Sequence, residues 1–423
     1  MVEYDIAVVG GGILGLATAY YTKLASPSLS VAVIEKENDV GQGNTSRSVG
    51  GYRHGIFTSN VNRILSETSV DHYREAQQSG EANLSMRDTG YLILISKSRL
   101  PKVKEYLELF LKAGKARLLT PEELQDHFSI TATVSDDEEA RIMNLEDIAC
   151  GLYAPRCGQL DVEKLVQLYK IRCQSLGVEF LTRKKVTAIR ISPDYPIGIP
   201  NEPRAWQKVH VSHLETRGEE IRAHQFVLAT GAWSHELLDP IGVDCFVKPK
   251  KRQVAVIKAV GGLEEIMRPR GGGFEMMPMT FFPHGLYAVP RYDERAFWVG
   301  LTDDFGRPFT LDMEAEPRFY YDNIHPVLSK YMPKFANARP ENMWAGCYSM
   351  NNLDGNPIVF RFLNCVVVTG GSGSGVMKAD AVGRIAAALV RGERIAYLHG
   401  GIPFEVSDLG IESRKVEKEH FIL

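Results

Sequence analysis

The sequence predicts an α/β fold with a second, β-rich part, and three neighbouring stretches near its start carry the prediction. An apolar stretch of strand length runs into a Gly-x-Gly-x-x-Gly pattern within Tyr4–Gly15, and the apolar-periodic stretch Ile13–Leu24 follows it. A second short apolar stretch, Val31–Ile34, ends in Glu35. Strand, helix and strand in this order predict a Rossmann-like βαβ unit that binds a dinucleotide.

Each part of this unit has a physical role. Gly10 permits the tight turn, Gly12 leaves no side chain between backbone and pyrophosphate, and Gly15 lets the helix pack close to the strand. Glu35 ends the second strand, where a carboxylate can accept hydrogen bonds from both ribose hydroxyls. Because a carboxylate would repel a 2′-phosphate, the pattern disfavours NADP.

Composition limits the class of protein. A chain of 423 residues with 44% hydrophobic residues is long enough for two domains, and a net charge of -3 without a long basic stretch disfavours a nucleic-acid partner. With no run of 18 apolar residues we expect no transmembrane segment and a cytoplasmic location. Peripheral attachment to the inner face of the membrane through a partner stays open, as does a homodimer. The six cysteines lack a Cys-x-x-Cys pair, so we expect reduced thiols and no metal site.

Alternating helix and strand patterns continue along the chain. The predicted helices are Asn60–Gln77 after a Ser59 cap, one that begins with the capping box Thr120–Glu123, and Leu160–Leu176. The stretch Phe246–Gly300 is rich in β-formers, glycine and proline, with an apolar cluster over Met276–Phe282. This central part predicts a sheet with an apolar pocket.

Two later stretches repeat the strand-then-glycine pattern of the start. Gln225–Trp233 predicts a buried strand that ends in a turn of small residues. Cys365–Gly375 predicts a strand that enters a glycine-rich loop, and Val376–Arg391 predicts the helix after it. The chain therefore returns to the nucleotide-binding part at its end.

With these three glycine stretches in this order, the chain resembles the FAD-dependent amino acid and amine oxidoreductases typified by D-amino-acid oxidase, monomeric sarcosine oxidase and glycine oxidase. The resemblance implies FAD as cofactor, in a discontinuous FAD-binding domain of residues 1–85, 148–232 and 344–423. A substrate domain on a mixed or antiparallel sheet would comprise residues 86–147 and 233–343. The residues that the resemblance assigns to FAD are Gly10, Gly12, Ile13, Leu14, Gly15, Glu35, Lys36, Ser46, Arg47, Ser48, Gly50, Gly51, Val186, Ala229, Thr230, Gly231, Trp233, Cys347, Gly371, Ser372, Gly373, Ser374, Gly375, Val376, Met377 and Lys378.

The segment after Glu35 indicates which members of the family the chain resembles most. Gly43–Arg53 is similar to the segment that passes the flavin ring in sarcosine oxidases and in archaeal dye-linked L-proline dehydrogenases. Arg53 lies where sarcosine oxidase has the arginine that holds the substrate carboxylate, a task that suits the guanidinium fork. Cys347 matches the cysteine that sarcosine oxidase joins to its flavin, but a buried cysteine is often only a small apolar residue, so a covalent bond stays open.

Two departures from the family pattern concern the mechanism. Where sarcosine oxidase has a lysine that activates oxygen, this chain has Tyr287, so we expect electrons to pass to a dye, a quinone or a redox protein. Ser374 replaces a histidine that is frequent in the family, and Lys378 lies one position beyond a lysine that helps bind carboxylate. The resemblance leaves the role of Lys378 open.

The leading functional prediction is an FAD-dependent dehydrogenase that oxidises a secondary amino acid, L-proline to 1-pyrroline-5-carboxylate. Arg53 and Tyr287 are the predicted catalytic residues. An apolar pocket would lower the pKa of the substrate amine, so hydride transfer needs no strong base. The predicted substrate-binding residues are Arg53, Met277, Phe282, Tyr287, Gly373 and Ser374.

Three alternatives remain open. One is a glycerol-3-phosphate or 2-hydroxy-acid dehydrogenase, suggested by Thr45–Ser48, in which His54 would serve as the base. Another is N-methyl amine oxidation as in sarcosine oxidase. The third is a non-catalytic FAD-binding assembly factor, since one such relative shares the pattern Trp344–Gly346. We also expect the apolar end Phe421–Leu423 to pack onto the protein near the substrate entrance.

Overall fold

The computed structural model describes residues 3–269, 271–303 and 306–419; the expectation for Phe421–Leu423 lies outside them. The strands in these ranges are β1 (Glu3–Val9), β2 (Val31–Ile34), β3 (Gly51–Tyr52), β4 (Tyr91–Ser96), β5 (Arg117–Leu119), β6 (Ile148–Ala154), β7 (Gly158–Gln159), β8 (Glu179–Leu181), β9 (Val186–Pro193), β10 (Val209–Thr216), β11 (Glu220–Leu228), β12 (Val247–Lys258), β13 (Met279–Phe281), β14 (Leu286–Arg291), β15 (Ala296–Leu301), β16 (Asn342–Asn351), β17 (Ile358–Phe362), β18 (Cys365–Thr369), β19 (Ile395–Tyr397) and β20 (Pro403–Glu405). The α-helices there are α1 (Ile13–Ala25), α2 (Asn60–Gln78), α3 (Leu100–Lys112), α4 (Pro121–Phe128), α5 (Glu138–Ile142), α6 (Val162–Ser175), α7 (Ser234–Leu238), α8 (Gly262–Met267), α9 (Pro317–Phe319), α10 (His325–Tyr331) and α11 (Ala379–Val390).

The first sheet is the predicted Rossmann-like layer. Its strand order is β17-β18-β11-β1-β2-β8, and β1 pairs in parallel with both β2 and β11. Helices α1, α6 and α11 cover one face. Gly383 lets two of them touch, because a Cβ there would lie 2.6 Å from the Cβ of Ala17.

The second sheet has the order β16-β12-β15-β14-β13-β4-β6-β5. Most of its pairs are antiparallel, whereas β13 and β4 are parallel, so the sheet is mixed. Helices α4, α8, α9 and α10 bury one face, and α3 packs against the other. The α/β fold with a second domain on a mixed sheet is thus confirmed.

Local sequence signals predicted the principal elements well. Ser59 caps α2 by accepting a hydrogen bond from the Asn62 N–H, and Thr120 and Glu123 form the predicted capping box of α4. Two strands, β8 and β9, follow α6, with Arg183 at a φ of 58° between them.

Two strands do not follow the predicted domain division. All of β6, and β16 from Trp344 onward, lie within ranges assigned to the FAD-binding domain. Both strands nevertheless pair in the second sheet. The reason is geometric, because each strand runs from the second sheet directly into a segment that borders the first.

Along the described ranges, no helix is long and apolar enough to cross a membrane. All six cysteines are free thiols.

Candidate active site

A large cavity lies between the two sheets, at the carboxyl ends of β1, β2 and β11, where ligands bind in open α/β sheets. Most residues predicted for cofactor and substrate line it. They are Gly10, Gly12, Ile13, Leu14, Glu35, Lys36, Arg47, Ser48, Gly51, Arg53, Val186, Ala229, Thr230, Gly231, Trp233, Tyr287, Cys347, Gly371, Ser372, Gly373, Ser374, Gly375, Val376 and Met377.

The first glycine turn forms one end of the cavity. Gly10 has a φ of 102°, and a Cβ on it would lie 2.4 Å from the Ala229 carbonyl oxygen, so only glycine fits there. A Cβ on Gly12 would instead meet nothing nearer than the Thr45 Oγ1 at 3.3 Å. A methyl group at position 12 would therefore crowd one side-chain hydroxyl of the protein, and it would also obstruct any group that approaches the backbone from the cavity.

The N-terminus of helix α1 lies at this glycine turn, and the two together are called the cradle below. Its N-cap residue is Gly12, which has no side chain to cap the first turn. The Ile13 N–H donates to the Thr45 Oγ1 at 3.2 Å. A helix N-terminus of this kind favours phosphate through its N–H groups and its dipole. The cradle therefore fits the pyrophosphate of FAD.

Glu35 is held at the end of β2 by backbone donors. Its Oε2 accepts from the Gly11 N–H at 2.8 Å and its Oε1 from the Glu37 N–H at 2.9 Å. Next to it, the Lys36 Nζ lies 3.7 Å from the centre of the Trp233 ring. A fixed carboxylate here suits the ribose hydroxyls.

The loop 43–53 crosses the cavity and is tied to β16. Arg47 donates to the Ala345 carbonyl oxygen at 2.6 Å, and the Cys347 N–H donates to the Asn44 Oδ1 at 2.7 Å. Gly51 faces Tyr91, whose hydroxyl oxygen would lie 2.4 Å from a Cβ on that glycine. The loop thus brings backbone and small residues close to the second sheet, which suits a flat ring.

Arg53 is the buried cation at this end of the cavity. Its side chain is 7% exposed, and its guanidinium carbon lies 4.0 Å from the centre of the Phe57 ring. Burial alone would raise the pKa of the Glu419 carboxyl, but the Arg53 charge and hydrogen bonds from Thr58 and Ser59 lower it overall. The site therefore combines a buried guanidinium with a nearby carboxylate.

The second sheet supplies an apolar wall opposite Arg53. Tyr91, Met279, Phe281 and Tyr287 line the cavity there, and the Phe281 ring centre lies 5.0 Å from that of Tyr91. Burial raises the pKa of both tyrosines, so their hydroxyls stay protonated. These four side chains exclude water without adding charge, whereas Arg252 of the same sheet adds a positive charge elsewhere in the cavity lining.

Two predicted substrate contacts lie elsewhere. Met277 and Phe282 pack into the core between the second sheet and its helices, and Phe282 contacts the ring of Tyr331. The prediction that they line the pocket was wrong, because both lie just outside β13, whose residues Met279 and Phe281 line the pocket instead.

Four predicted cofactor residues do not reach the cavity wall either. A Cβ on Gly15 would lie 1.9 Å from the Gly10 carbonyl oxygen, so this glycine serves helix packing. Gly50 likewise packs on the Leu160 carbonyl, and the Ser46 hydroxyl donates to the Gly43 carbonyl at 3.1 Å. Lys378 lies behind the wall.

Cys347 lines the cavity, but its thiol donates to the Thr310 carbonyl oxygen at 3.2 Å. Burial raises the pKa of this thiol, so it stays protonated. His54 does not line the cavity; its Nε2 lies 3.1 Å from the Asp71 carboxylate.

Several lining residues were missed by sequence reasoning. Asn44 and Thr45 lie inside the stretch that was singled out, whereas Asn62, Arg252 and Glu419 belong to distant elements. A contact that depends on tertiary packing leaves no local pattern, so only Asn44 and Thr45 carried a usable signal.

Comparisons with known proteins agree with this geometry. The chain matches the family described as FAD dependent oxidoreductase (DAO) over residues 5–389. It is 26% identical over 416 residues to the FAD-dependent oxidoreductase domain-containing protein 1 of Bos taurus, covering 91% of this chain and 81% of that one. It is also 26% identical over 317 residues to human mitochondrial L-2-hydroxyglutarate dehydrogenase, covering 70% of this chain and 60% of that one.

Among solved structures, L-proline dehydrogenase from P. horikoshii superposes with a TM-score of 0.72 at 23% identity, covering 92% of this chain and 94% of that one. This likeness concerns the fold. The family match spans most of the chain and includes all three glycine stretches. The chain therefore belongs to the FAD-dependent oxidoreductases of the DAO family, and FAD is its cofactor.

Proposed function

We propose that this protein is a dehydrogenase that oxidises a secondary amino acid, L-proline to 1-pyrroline-5-carboxylate, and passes the electrons to a dye- or quinone-type acceptor. The observation that carries the proposal is Arg53, a buried guanidinium in a cavity whose facing wall is apolar. Bound FAD supplies the hydride acceptor. The chain's own residues bind, orient and desolvate the substrate.

Arg53 suits a substrate carboxylate. A guanidinium donates two parallel hydrogen bonds to a carboxylate, and its burial strengthens them. The main chain fixes its position, because the Arg53 carbonyl accepts from the Ser66 hydroxyl at 2.6 Å and its N–H donates to the Met377 Sδ at 3.4 Å. Substrate held there would lie with its carbon side against the apolar wall.

Met279, Phe281 and Tyr287 suit the ring of a small cyclic amino acid. Apolar surroundings disfavour a charged amine, so they lower its pKa and raise the fraction of neutral amine that can lose a hydride. Tyr287 places a neutral hydroxyl where the resemblance expects an oxygen-activating lysine, which supports electron transfer to an acceptor other than oxygen, although the charge of Arg252 acts on this hydroxyl.

A second candidate is a dehydrogenase of a 2-hydroxy dicarboxylate. Arg252 favours it, because this residue also lines the cavity, is 8% exposed, and has a buried Nε without a hydrogen-bond partner among the described residues. The relative that is an L-2-hydroxyglutarate dehydrogenase points the same way. However, Arg252 is already paired with Asp303 at 2.8 Å, and His54 is not placed to act as the base.

Steady-state reduction of dichloroindophenol separates the candidates. The purified holoenzyme is assayed with L-proline, sarcosine, glycerol 3-phosphate and L-2-hydroxyglutarate. We expect the highest kcat/KM with L-proline, and dye reduction far faster than peroxide production under air. A preference for L-2-hydroxyglutarate would transfer the proposal to the second candidate, and no turnover with any of the four would favour a non-catalytic role.

A further inference from the structure

Lys378 is a buried lysine directly behind the cavity wall. Its side chain is 1% exposed, and its Nζ donates to the Ser374 Oγ at 2.6 Å and to the Asn62 Oδ1. Both of these partners line the cavity, whereas the lysine does not. Among the residues that the structure describes, the amine is therefore linked to the cavity lining by hydrogen bonds to one hydroxyl and one amide.

The hydroxyl of Ser374 is suited to pass a proton. Its other hydrogen bond, to the Gly371 carbonyl oxygen, is 3.3 Å long and therefore weak. A hydroxyl can donate one hydrogen bond and accept two. When Lys378 is neutral, the Ser374 hydroxyl can donate its hydrogen bond to the Nζ. It can still accept a hydrogen bond from a molecule in the cavity, along which a proton can transfer.

The surroundings make a neutral lysine accessible near neutral pH. Burial, and after it the positive charge of Arg53, lower the pKa of Lys378 to about 7, against the opposing effects of Glu419 and Asp354. The Phe57 ring, 5.7 Å from the Nζ, adds only a weak attraction for the cation. The charged form is thus destabilised although two acceptors lie within reach.

Three other titratable groups near this part of the site are not placed to take the proton. Glu419 accepts hydrogen bonds from Thr58 and Ser59 and from the Asn62 amide, which stabilise its carboxylate. His54 lies outside the cavity lining, and the protonated hydroxyl of Tyr287 is no base at neutral pH. Ser374 is left as the hydroxyl with a basic group behind it.

We propose that Ser374 and Lys378 form the proton relay that takes the proton from the substrate before oxidation. The substrate N–H bond breaks as a bond to the Ser374 Oγ forms. The original Ser374 O–H bond breaks as that proton binds the Lys378 Nζ, so the lysine becomes an ammonium ion and the substrate nitrogen keeps its electron pair. This inference rests on the proposed function for the amine, and an alcohol substrate would lose its O–H proton in the same way.

The test compares Ser374→Ala, Lys378→Met and Lys378→Arg with the wild type as holoenzymes. Arginine keeps the charge and the donors but cannot lose its proton, so it replaces a fixed cation but not a relay. The measurement is the anaerobic rate constant of flavin reduction against pH, at saturating L-proline. If L-proline does not reduce the wild-type flavin, the proposed function fails, and the substrate among sarcosine, L-2-hydroxyglutarate and glycerol 3-phosphate that does reduce it replaces L-proline.

All three variants should lose about a hundredfold or more in rate, the range of general acid–base catalysis, and the pH dependence near 7 should disappear. Lys164→Met is the control, because Lys164 donates to the Ser85 hydroxyl at 2.7 Å on the surface and should leave the rate unchanged. An undiminished rate in Lys378→Arg would show that the lysine acts as a fixed charge and would overturn the relay. So would an undiminished rate in Ser374→Ala.

If none of these compounds reduces the flavin, the pH dependence of the melting temperature tests the proposal without a substrate. Because the lysine has a pKa of about 7 when folded and 10.5 when unfolded, the unfolded chain binds the extra proton between these values. The melting temperature of the wild type should therefore rise relative to that of Lys378→Met as the pH increases from 7 to 10.5. A constant difference would mean a permanently charged lysine and would overturn the proposal.

Discussion

At the residue scale, the site depends on a few buried polar groups whose position is fixed by backbone contacts. Arg53 is held through its own N–H and carbonyl, and Glu35 through two backbone N–H groups. These contacts fix the backbone of Arg53 and the carboxylate of Glu35 before a ligand arrives, so less entropy is lost on binding. Substitution at these positions should therefore weaken binding.

Arg53→Ala should weaken the binding of L-proline. A charge-assisted hydrogen bond contributes about 1.5–3 kcal/mol, so the loss of the fork should raise KM by about ten- to a thousandfold. The check is steady-state kinetics together with the flavin spectrum. Arg63→Ala is the matched control, since Arg63 pairs with Glu67 on the surface of α2. An unchanged KM in Arg53→Ala would remove this residue from the substrate site.

At the scale of elements, the turn from β1 into α1 contains two kinds of glycine. Some are required by the packing of the protein itself, and one is required by the approach of the ligand. Gly10 and Gly15 leave no room for a Cβ because carbonyl oxygens lie 2.4 and 1.9 Å away. At Gly12 the nearest atom to a Cβ would be a side-chain hydroxyl oxygen at 3.3 Å, a much milder contact. The same three-glycine pattern thus contains two kinds of constraint.

Gly12→Ala and Gly15→Ala should have different effects. Gly12→Ala should lower FAD occupancy by obstructing the phosphates while the melting temperature of the apoprotein stays near that of the wild type. Gly15→Ala should lower the melting temperature of the apoprotein, because the helix must move away from the strand. Flavin absorbance per chain and thermal unfolding measure the two effects. Equal loss of apoprotein stability in both variants would contradict the distinction.

At the scale of the whole molecule, distant helices meet at one buried carboxylate. Asp380 is fully buried and accepts hydrogen bonds from the hydroxyls of Tyr21 and Tyr169 and from the Arg384 Nε at 2.8 Å. These contacts join α1, α6 and α11 on one face of the first sheet. The cluster lies behind the FAD site and supports the helix that follows the last glycine loop.

Asp380→Ala should destabilise the whole fold. Removal of one partner from a buried ionic network leaves the others uncompensated, which costs about 3–5 kcal/mol in the free energy of unfolding. Asp293→Ala is the control, because this aspartate is 72% exposed in its pair with Arg87 and should cost less than about 1 kcal/mol. Urea denaturation measures both. Equal effects of the two substitutions would show that the cluster does not support the fold.

Local patterns predicted what depends on neighbours in sequence. The turn at Gly10, the cap at Ser59 and the capping box at Thr120 follow from backbone geometry within a few residues. Strand alternation was less informative, since Met277 and Met279 have the same spacing as residues of one face, yet only Met279 reaches the cavity. The irregular backbone before β13 breaks that periodicity.

Tertiary contacts could not be predicted in the same way. Glu419 reaches α2 across 357 positions of sequence to Asn62, and Lys378 binds the same residue across 316. Neither contact leaves a pattern among residues that are neighbours in sequence. Both form because the fold buries these side chains together. The sequence motifs and the family resemblance therefore predicted the glycine turns and Arg53, whereas Asn62, Arg252 and Glu419 required the structure.

The proposed function requires that a secondary amino acid bound at Arg53 is oxidised in this cavity. The most direct measurement mixes the holoenzyme with L-proline without oxygen and records the flavin absorbance. We predict complete bleaching by L-proline in the wild type and much slower bleaching in Arg53→Ala at the same substrate concentration. A flavin that stays oxidised with L-proline but bleaches with L-2-hydroxyglutarate would contradict the claim.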